Sequence, residues 1–140
     1  MKKQIINKNF DVQSIDINVA PNSVFEFVAK PENLPLWTNA FAKANQSTAI
    51  LAIPNGNLDI KLETIISIKS RTIDWIMIMP DGSIGKAFSR VSENGENSIY
   101  SFVLLAPPVP LEQLEGALSA QKILLAEELK DLKKILENNN

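Results

Sequence analysis

Hydrophobic and polar residues alternate in the first regular stretch of the chain, residues 10–19, which predicts a β-strand. From Pro21 onward the spacing becomes helical, and Pro31 ends this short helix. The segment 31–37 allows one more helical turn. The pattern therefore predicts one strand followed by two short helices. The residues that set these periods are Ile15, Ile17 and Val19 on the strand and Val24, Phe25 and Val28 on the helix.

From residue 41 to residue 105 the pattern is that of short strands separated by turn signals. Asparagine–glycine and aspartate–glycine pairs favour tight hairpins, so the strands should form an antiparallel meander. The predicted strands are 41–46, 48–54, 58–69, 72–79, 84–92 and 97–105, and the turn signals are Asn55-Gly56-Asn57, Asp81-Gly82 and Asn94-Gly95.

The leucine-rich end of the chain predicts one long helix over 111–137, after the strand-breaking PPVP run at 107–110. The order of elements predicts an α+β protein, in which seven strands and one long helix bury each other's apolar faces. We expect a single domain over 1–140, with its core at about 10–137. The leucines recur at three- and four-residue steps, interrupted by Lys122, and are Leu111, Leu114, Leu118, Leu125, Leu129, Leu132 and Leu136.

Composition excludes several classes of chemistry. The 140 residues contain no cysteine and no histidine, so disulfides, thiolate chemistry and Ser-His-Asp or Cys-His catalysis are impossible. We expect no cofactor and no metal, because no acidic cluster suggests a hard-metal site. The 14 basic and 16 acidic residues leave a net charge of −2, so a nucleic-acid partner is not expected either.

The first ten residues, MKKQIINKNF, contain no apolar run that could act as the core of a signal peptide. No stretch approaches the roughly 18 apolar residues of a spanning helix. We therefore expect a cytoplasmic protein without a membrane span. Its richness in Ile, Asn and Lys is typical of an AT-rich bacterial genome.

Three motifs resemble the START-related, polyketide-cyclase-like superfamily. They are IDINVAP at 15–21 with VFEFV at 24–28, PENLPLW at 31–37, and the closing helix LKDLKKILE at 129–137. The middle of the chain is similar too, at Asp74-Trp75 and Pro80-Asp81-Gly82. The resemblance implies a helix-grip fold, shared with the birch pollen allergen, in which a curved antiparallel sheet wraps around the C-terminal helix. It carries no catalytic residue onto this chain, because the superfamily includes carriers, cyclases and co-chaperone-like proteins.

Turn lengths decide which residues share the apolar face of this sheet, since a one-residue slip turns every side chain over. A two-residue turn at Asp81-Gly82 would place Trp75 opposite Phe88. A two-residue turn at Ser70-Arg71 would place Ile66 opposite Trp75 on the other side. Trp75 and Phe88 are therefore expected on one face.

The last hairpin allows two registers. A two-residue turn at Asn94-Gly95 would put Ser101 and Val103 on the apolar face. A three-residue loop over 93–95, with a bulge at the glycine, would put Tyr100 and Phe102 there instead. We favour the second, because these rings then cluster with Phe88.

This face either packs as ordinary core or lines a cavity closed by the long helix. Arg90 would be its most informative member, because a guanidinium on an apolar face needs a partner. That partner is either a structural one, including water at the strand end, or the carboxylate or phosphate of a ligand. Lys86 more simply reaches solvent. The candidate ligand-binding residues are Trp75, Met77, Phe88, Arg90, Tyr100 and Phe102.

Three functions fit these patterns. The first is a binding module for a small hydrophobic or amphipathic molecule, such as a lipid. The second is a polyketide cyclase or dehydratase that shuttles protons through Tyr100, Arg90 or ordered water. The third is a protein-interaction domain with a filled interior. We rank the binding module first, as a monomer or homodimer, and leave catalytic residues unassigned.

Overall fold

The computed structural model describes residues 9–53, 56–106 and 111–138. The predicted break at 107–110, Asn55 and the side chains of Leu111 and Leu114 lie outside these described parts. The elements are β1 (Phe10–Ile17), α1 (Pro21–Ala29), a 3-10 turn (Pro31–Asn33), α2 (Leu34–Trp37), β2 (Phe41–Ala44), β3 (Thr48–Ile53), β4 (Gly56–Ser67), β5 (Thr72–Ile78), β6 (Ile84–Asn94), β7 (Asn97–Leu105) and α3 (Leu111–Asn138).

The seven strands form one antiparallel sheet in the order β1-β7-β6-β5-β4-β3-β2. The sheet curls into a half-barrel around α3, with the short helices between β1 and β2. The predicted α+β class and helix-grip arrangement are confirmed. In the described part of the chain, no helix is long and apolar enough to cross a membrane.

The leucine stripe of α3 packs against the concave face of the sheet, as its spacing predicts. Where Lys122 interrupts the stripe, polar groups fill the space between α3 and β1. The Gln13 amide donates to Asp11 Oδ2 at 2.9 Å and to the Lys122 carbonyl at 3.0 Å, and Lys122 Nζ lies 4.0 Å from Asp11 Oδ1. These partners allow Asp11 to be buried there. The buried leucines of the described stripe are Leu118, Leu125, Leu129, Leu132 and Leu136.

Side chains from the last turns of α3 form hydrogen bonds with the backbone at the C-terminal end of β1. Lys133 Nζ donates to the Asp16 carbonyl at 2.6 Å, and the Asn18 N–H donates to Glu137 Oε2 at 2.8 Å. The hydrogen bond from Lys133 also lowers the pKa of the Asp16 carboxyl. Side chains of α3 thus bond to backbone groups at the end of an edge strand, where further strand pairing could otherwise occur.

The turn between β5 and β6 differs from the prediction. The Gly82 N–H donates to the Met79 carbonyl, and the Met79 N–H donates to the Ser83 carbonyl, both at 2.9 Å. Pro80, Asp81 and Gly82 therefore form a three-residue loop, with Gly82 in the left-handed region at φ 88°. Trp75 lies opposite Ala87, one residue from the expected Phe88.

This one-residue difference turns the predicted face of β6 over. Phe88 and Arg90, expected beside Trp75, lie on the outer face of the sheet, where Arg90 is exposed. The prediction that placed them on the inner face is wrong. Its cause is the proline at the first position after Met79, which suits a type I turn followed by a left-handed glycine better than a two-residue hairpin.

The turn between β4 and β5 also differs from the predicted one, but it preserves the predicted faces. Between β4 and β5 the loop is four residues long, so Trp75 faces Thr64 and Ile66 faces Ile73. Its last residue, Arg71, adopts φ 54° and donates from Nε to Asn22 Oδ1 at 2.9 Å. A two-residue change of register leaves every side chain on its own face.

In the last hairpin Asn94 pairs with Asn97, around a two-residue turn whose first position is Gly95 at φ 64°. Positive φ at Gly95 without positive φ at Glu96 is the pattern of a type II′ turn. Neither predicted loop has this pairing, and Phe88 lies opposite Val103 rather than Tyr100, so the favoured three-residue register is wrong. Tyr100 and Phe102 are nevertheless buried on the inner face, because β6 itself is turned over. They cluster with Trp75 rather than with Phe88.

A buried serine joins β7 to the segment that leads into α1. The Ser98 hydroxyl is fully buried and donates to the Val19 carbonyl at 2.6 Å. We expect Ser98→Ala to lower the free energy of unfolding by about 1–3 kcal/mol, because it leaves a buried carbonyl without this donor. Chemical denaturation checks this value, with Ser101→Ala on the outer face as the control. Equal effects of the two substitutions would contradict it.

Candidate ligand cavity

A cavity of about 440 Å³ lies between the sheet and α3. This volume is within the range of about 300–1,000 Å³ that small-molecule sites occupy. The cavity is partly open to solvent, and residues 38–40, between α2 and β2, line it together with the solvent-accessible Gln121, Leu124 and Glu128 of α3. We call this solvent-accessible border the opening. Its walls are predominantly apolar, and the large side chains that form them include Trp37, Phe41, Trp75, Met77, Phe102 and Leu125.

The space exists because the inner face of β6 carries small residues. Gly85 and Ala87 border the cavity and lie directly opposite Met77 and Trp75 of β5. A Cβ atom at Gly85 would meet Met77 Cε at 3.4 Å and Met79 Cε at 3.7 Å, which are ordinary contacts. Larger side chains at these positions would occupy the cavity.

Aromatic rings form a continuous row beside the cavity. Trp75 stacks on Phe102 with a ring-centroid separation of 6.0 Å, and Tyr100 meets the edges of Phe102 and Trp37 at 6.4 and 6.1 Å. Such aromatic contacts stabilise the wall beyond the area they bury. The row gives one side of the cavity a rigid, apolar surface.

Of the six predicted site residues, the structure brings three together on the cavity wall: Trp75, Met77 and Phe102. Their contact with a ligand stays a prediction. Tyr100 is fully buried next to this wall, but it is not one of the residues that line the cavity. Burial raises the pKa of its phenol, so the hydroxyl stays protonated at any ordinary pH.

Phe88 and Arg90, the remaining predicted residues, belong to the outer face. Phe88 pairs with Asp74 and Val103, and Arg90 pairs with Thr72 and Ser101. Arg90 therefore cannot anchor a ligand inside the cavity, and that interpretation is corrected. Lys86 borders the cavity between two inward-facing residues, but strand alternation directs its exposed side chain outward.

The sequence analysis missed the polar group at the cavity opening, Glu128. Its Oε2 accepts the Asn39 N–H at 2.6 Å, which joins α3 to the segment between α2 and β2. Burial raises the pKa of this carboxyl, a nearby Asp131 raises it further, and the hydrogen bond from Asn39 opposes both. Its position in the sequence, between Leu125 and Leu129 of the leucine stripe, could have indicated that this carboxyl lies next to the buried face of the helix.

The two tryptophans of the cavity wall do not offer their polar atoms to a ligand. The indole nitrogens of Trp37 and Trp75 are completely covered, and neither has a hydrogen-bond partner in the described structure. A ligand could reach these donors only if the wall adjusted. The described residues also contain no group of three or more acidic side chains able to hold a metal ion.

The raised pKa of Glu128 leads to a test of stability against pH. Below its ordinary pKa of 4.5, this carboxyl is protonated in both the folded and the unfolded state. As pH rises through the raised pKa of the folded state, the carboxyl must ionise in a partly buried position, and the protein loses stability. We therefore expect Glu128→Gln to raise the free energy of unfolding at pH 7, since glutamine still accepts from Asn39. The gain should vanish near pH 4. Denaturation at both pH values checks this, and a loss of stability at pH 7 would contradict it.

Scans of family models and of curated proteins find no match to this chain. Solved structures do match it. XoxI from Bacillus cereus is 18% identical with a TM-score of 0.69, covering 92% of this chain and 96% of its own. A START superfamily protein from Mycobacterium smegmatis is 12% identical with a TM-score of 0.67, covering 95% and 100%.

A third similar structure is the Aha1 dimer from Colwellia psychrerythraea, 18% identical with a TM-score of 0.60, covering 91% of this chain and 96% of that one. Identities this low establish the fold alone. The fold is the START-like helix-grip fold, so the resemblance found in the sequence is confirmed at that level.

Proposed function

We propose that this protein is a binding module that holds a small hydrophobic or amphipathic molecule, such as a lipid, between the curved sheet and α3. The observation that supports this most is the apolar cavity of about 440 Å³, which opens to solvent beside α3. An apolar cavity with a few polar groups at one end is the usual form of a small-molecule site. The likeness to a START superfamily protein supports the same function.

The apolar walls favour binding over catalysis. A polyketide cyclase or dehydratase would need groups that move protons along the bound chain. Among the described lining residues, Glu128 is the one whose ionisable side chain belongs to the cavity, and it lies at the opening. A protein-interaction domain, in turn, would be expected to have a filled interior rather than a cavity of this volume.

Native mass spectrometry of gently purified protein tests the proposal, followed by extraction of any bound molecule. We expect a stoichiometric apolar or amphipathic companion, or failing that, saturable binding of a neutral fluorescent probe such as N-phenyl-1-naphthylamine. A protein that is empty and does not bind the probe would overturn the proposal.

We also propose a cytoplasmic location and a monomer or homodimer, with no nucleic-acid partner. The near balance of charges supports the last of these. Solution mass measured at several concentrations distinguishes the two oligomeric states, and fractionation of cells tests the location.

A further inference from the structure

The opening of the cavity has a negatively charged group, and no lysine or arginine of the described residues forms an ion pair with it. Glu128 places a half-buried carboxylate there, and Gln121 lies two helical turns earlier on the same side of α3. Asp131 is close enough to Glu128 to raise the pKa of its carboxyl, so it adds negative potential. Lys86 borders the cavity, but its side chain leaves on the opposite face of the sheet.

Among the described residues, only one oxygen of this carboxylate receives a hydrogen bond. Oε2 is occupied by the Asn39 N–H, whereas Oε1 has no donor in the part of the chain that the structure describes. A partly desolvated carboxylate with an open acceptor gains most from a donor, and most of all from a cationic donor. A second carboxylate at the same place would meet like charge in a medium less polar than water.

We propose that the cavity selects ligands by a hydrogen-bond donor at the end of an apolar body, favouring a primary amine over an alcohol and rejecting the matching carboxylate. The donor would bind Glu128 Oε1 at the opening, and the apolar body would lie along the row of Trp75 and Phe102. This specificity rests on the proposed binding function, and it names the ligand class that the function leaves open.

Three probes of equal chain length test the selection: decylamine, decanol and decanoate, each below its micelle concentration. Each competes with N-phenyl-1-naphthylamine for the cavity at pH 7. We expect decylamine to displace the probe at a concentration at least about tenfold lower than decanoate, a difference of about 1.4 kcal/mol, with decanol between them.

Two matched variants locate the origin of the preference. Glu128→Gln keeps the acceptor for Asn39 but removes the charge, so the amine-to-carboxylate ratio should fall to about threefold or less. Glu127→Gln removes the same charge from an exposed neighbour that pairs with Lys130, and it should leave the ratio unchanged. The comparison separates the effect of Glu128 from that of net protein charge.

The possible failures are distinguishable. If decanoate displaces the probe as well as decylamine does, the selection is wrong and the binding function stands. If Glu128→Gln leaves the preference intact, or Glu127→Gln removes it equally, the role of Glu128 is wrong. If the probe itself never binds, the proposed function fails together with the selection.

Discussion

Replacing Gly85 by leucine should abolish binding of an apolar probe while leaving the protein folded. The new side chain would extend from the inner face of β6 into the cavity, past Met77 and Met79. We expect the dissociation constant to rise at least about 100-fold, or roughly 2.7 kcal/mol. The free energy of unfolding should change by no more than about 1–3 kcal/mol, because overpacking opposes the gain from removing a glycine within a strand.

Gly85→Ala is the matched control for this experiment. Its Cβ would make contacts of 3.4 and 3.7 Å with the two methionine methyl groups, so it should fit without displacing the wall. Probe titration and thermal unfolding of both variants check the prediction. Binding by Gly85→Leu with wild-type affinity would show that the probe occupies another site.

Two phenylalanines on opposite faces of the sheet provide the second strong prediction. Phe102 is 9% exposed, lines the cavity and stacks on Trp75, so Phe102→Ala should weaken probe binding at least about tenfold. The same change should lower the free energy of unfolding by about 3 kcal/mol, the lower end for a buried phenylalanine, because one side of the ring already faces empty space.

Phe88→Ala removes the same side chain from the outer face, where it is half-buried opposite Asp74 and Val103. It should lower the free energy of unfolding by about 1 kcal/mol and leave probe affinity unchanged. Titration of both variants, with denaturation curves to confirm folding, checks the pair. A loss of affinity in Phe88→Ala as large as in Phe102→Ala would refute the assignment of the cavity as the binding site.

The order of strands and helices could be predicted because the hydrophobic periodicity of each element is set by residues that are close together in the sequence. The alternation in residues 10–19 and the leucine steps of α3 both require an apolar face toward the core, and the structure buries Ile17, Leu125 and Leu132 as expected. Turn signals also located the hairpins, so every predicted strand and helix has a counterpart in the structure.

The site could be predicted only in part, because face assignments depend on turn geometry to the nearest residue. Pro80 lengthened one loop by a residue and moved Phe88 and Arg90 to the outer face. The same shift brought Gly85 and Ala87 inward, and these small residues create the cavity. Glu128 was missed because its role requires Asn39, 89 positions away in sequence.

The covering of β1 by α3 has a consequence for the order in which the chain folds during synthesis. β1 is made early, but its partner strand is β7, and the backbone at its C-terminal end, at Asp16 and Asn18, is bonded to Lys133 and Glu137 near the end of α3. Until those residues leave the ribosome, β1 has an open edge and the concave face has no helix to cover it. Such edges and faces are the usual sites of aggregation. The last turns of α3, with Leu132 and Leu136, are therefore needed before the concave face and the end of β1 have all their native contacts.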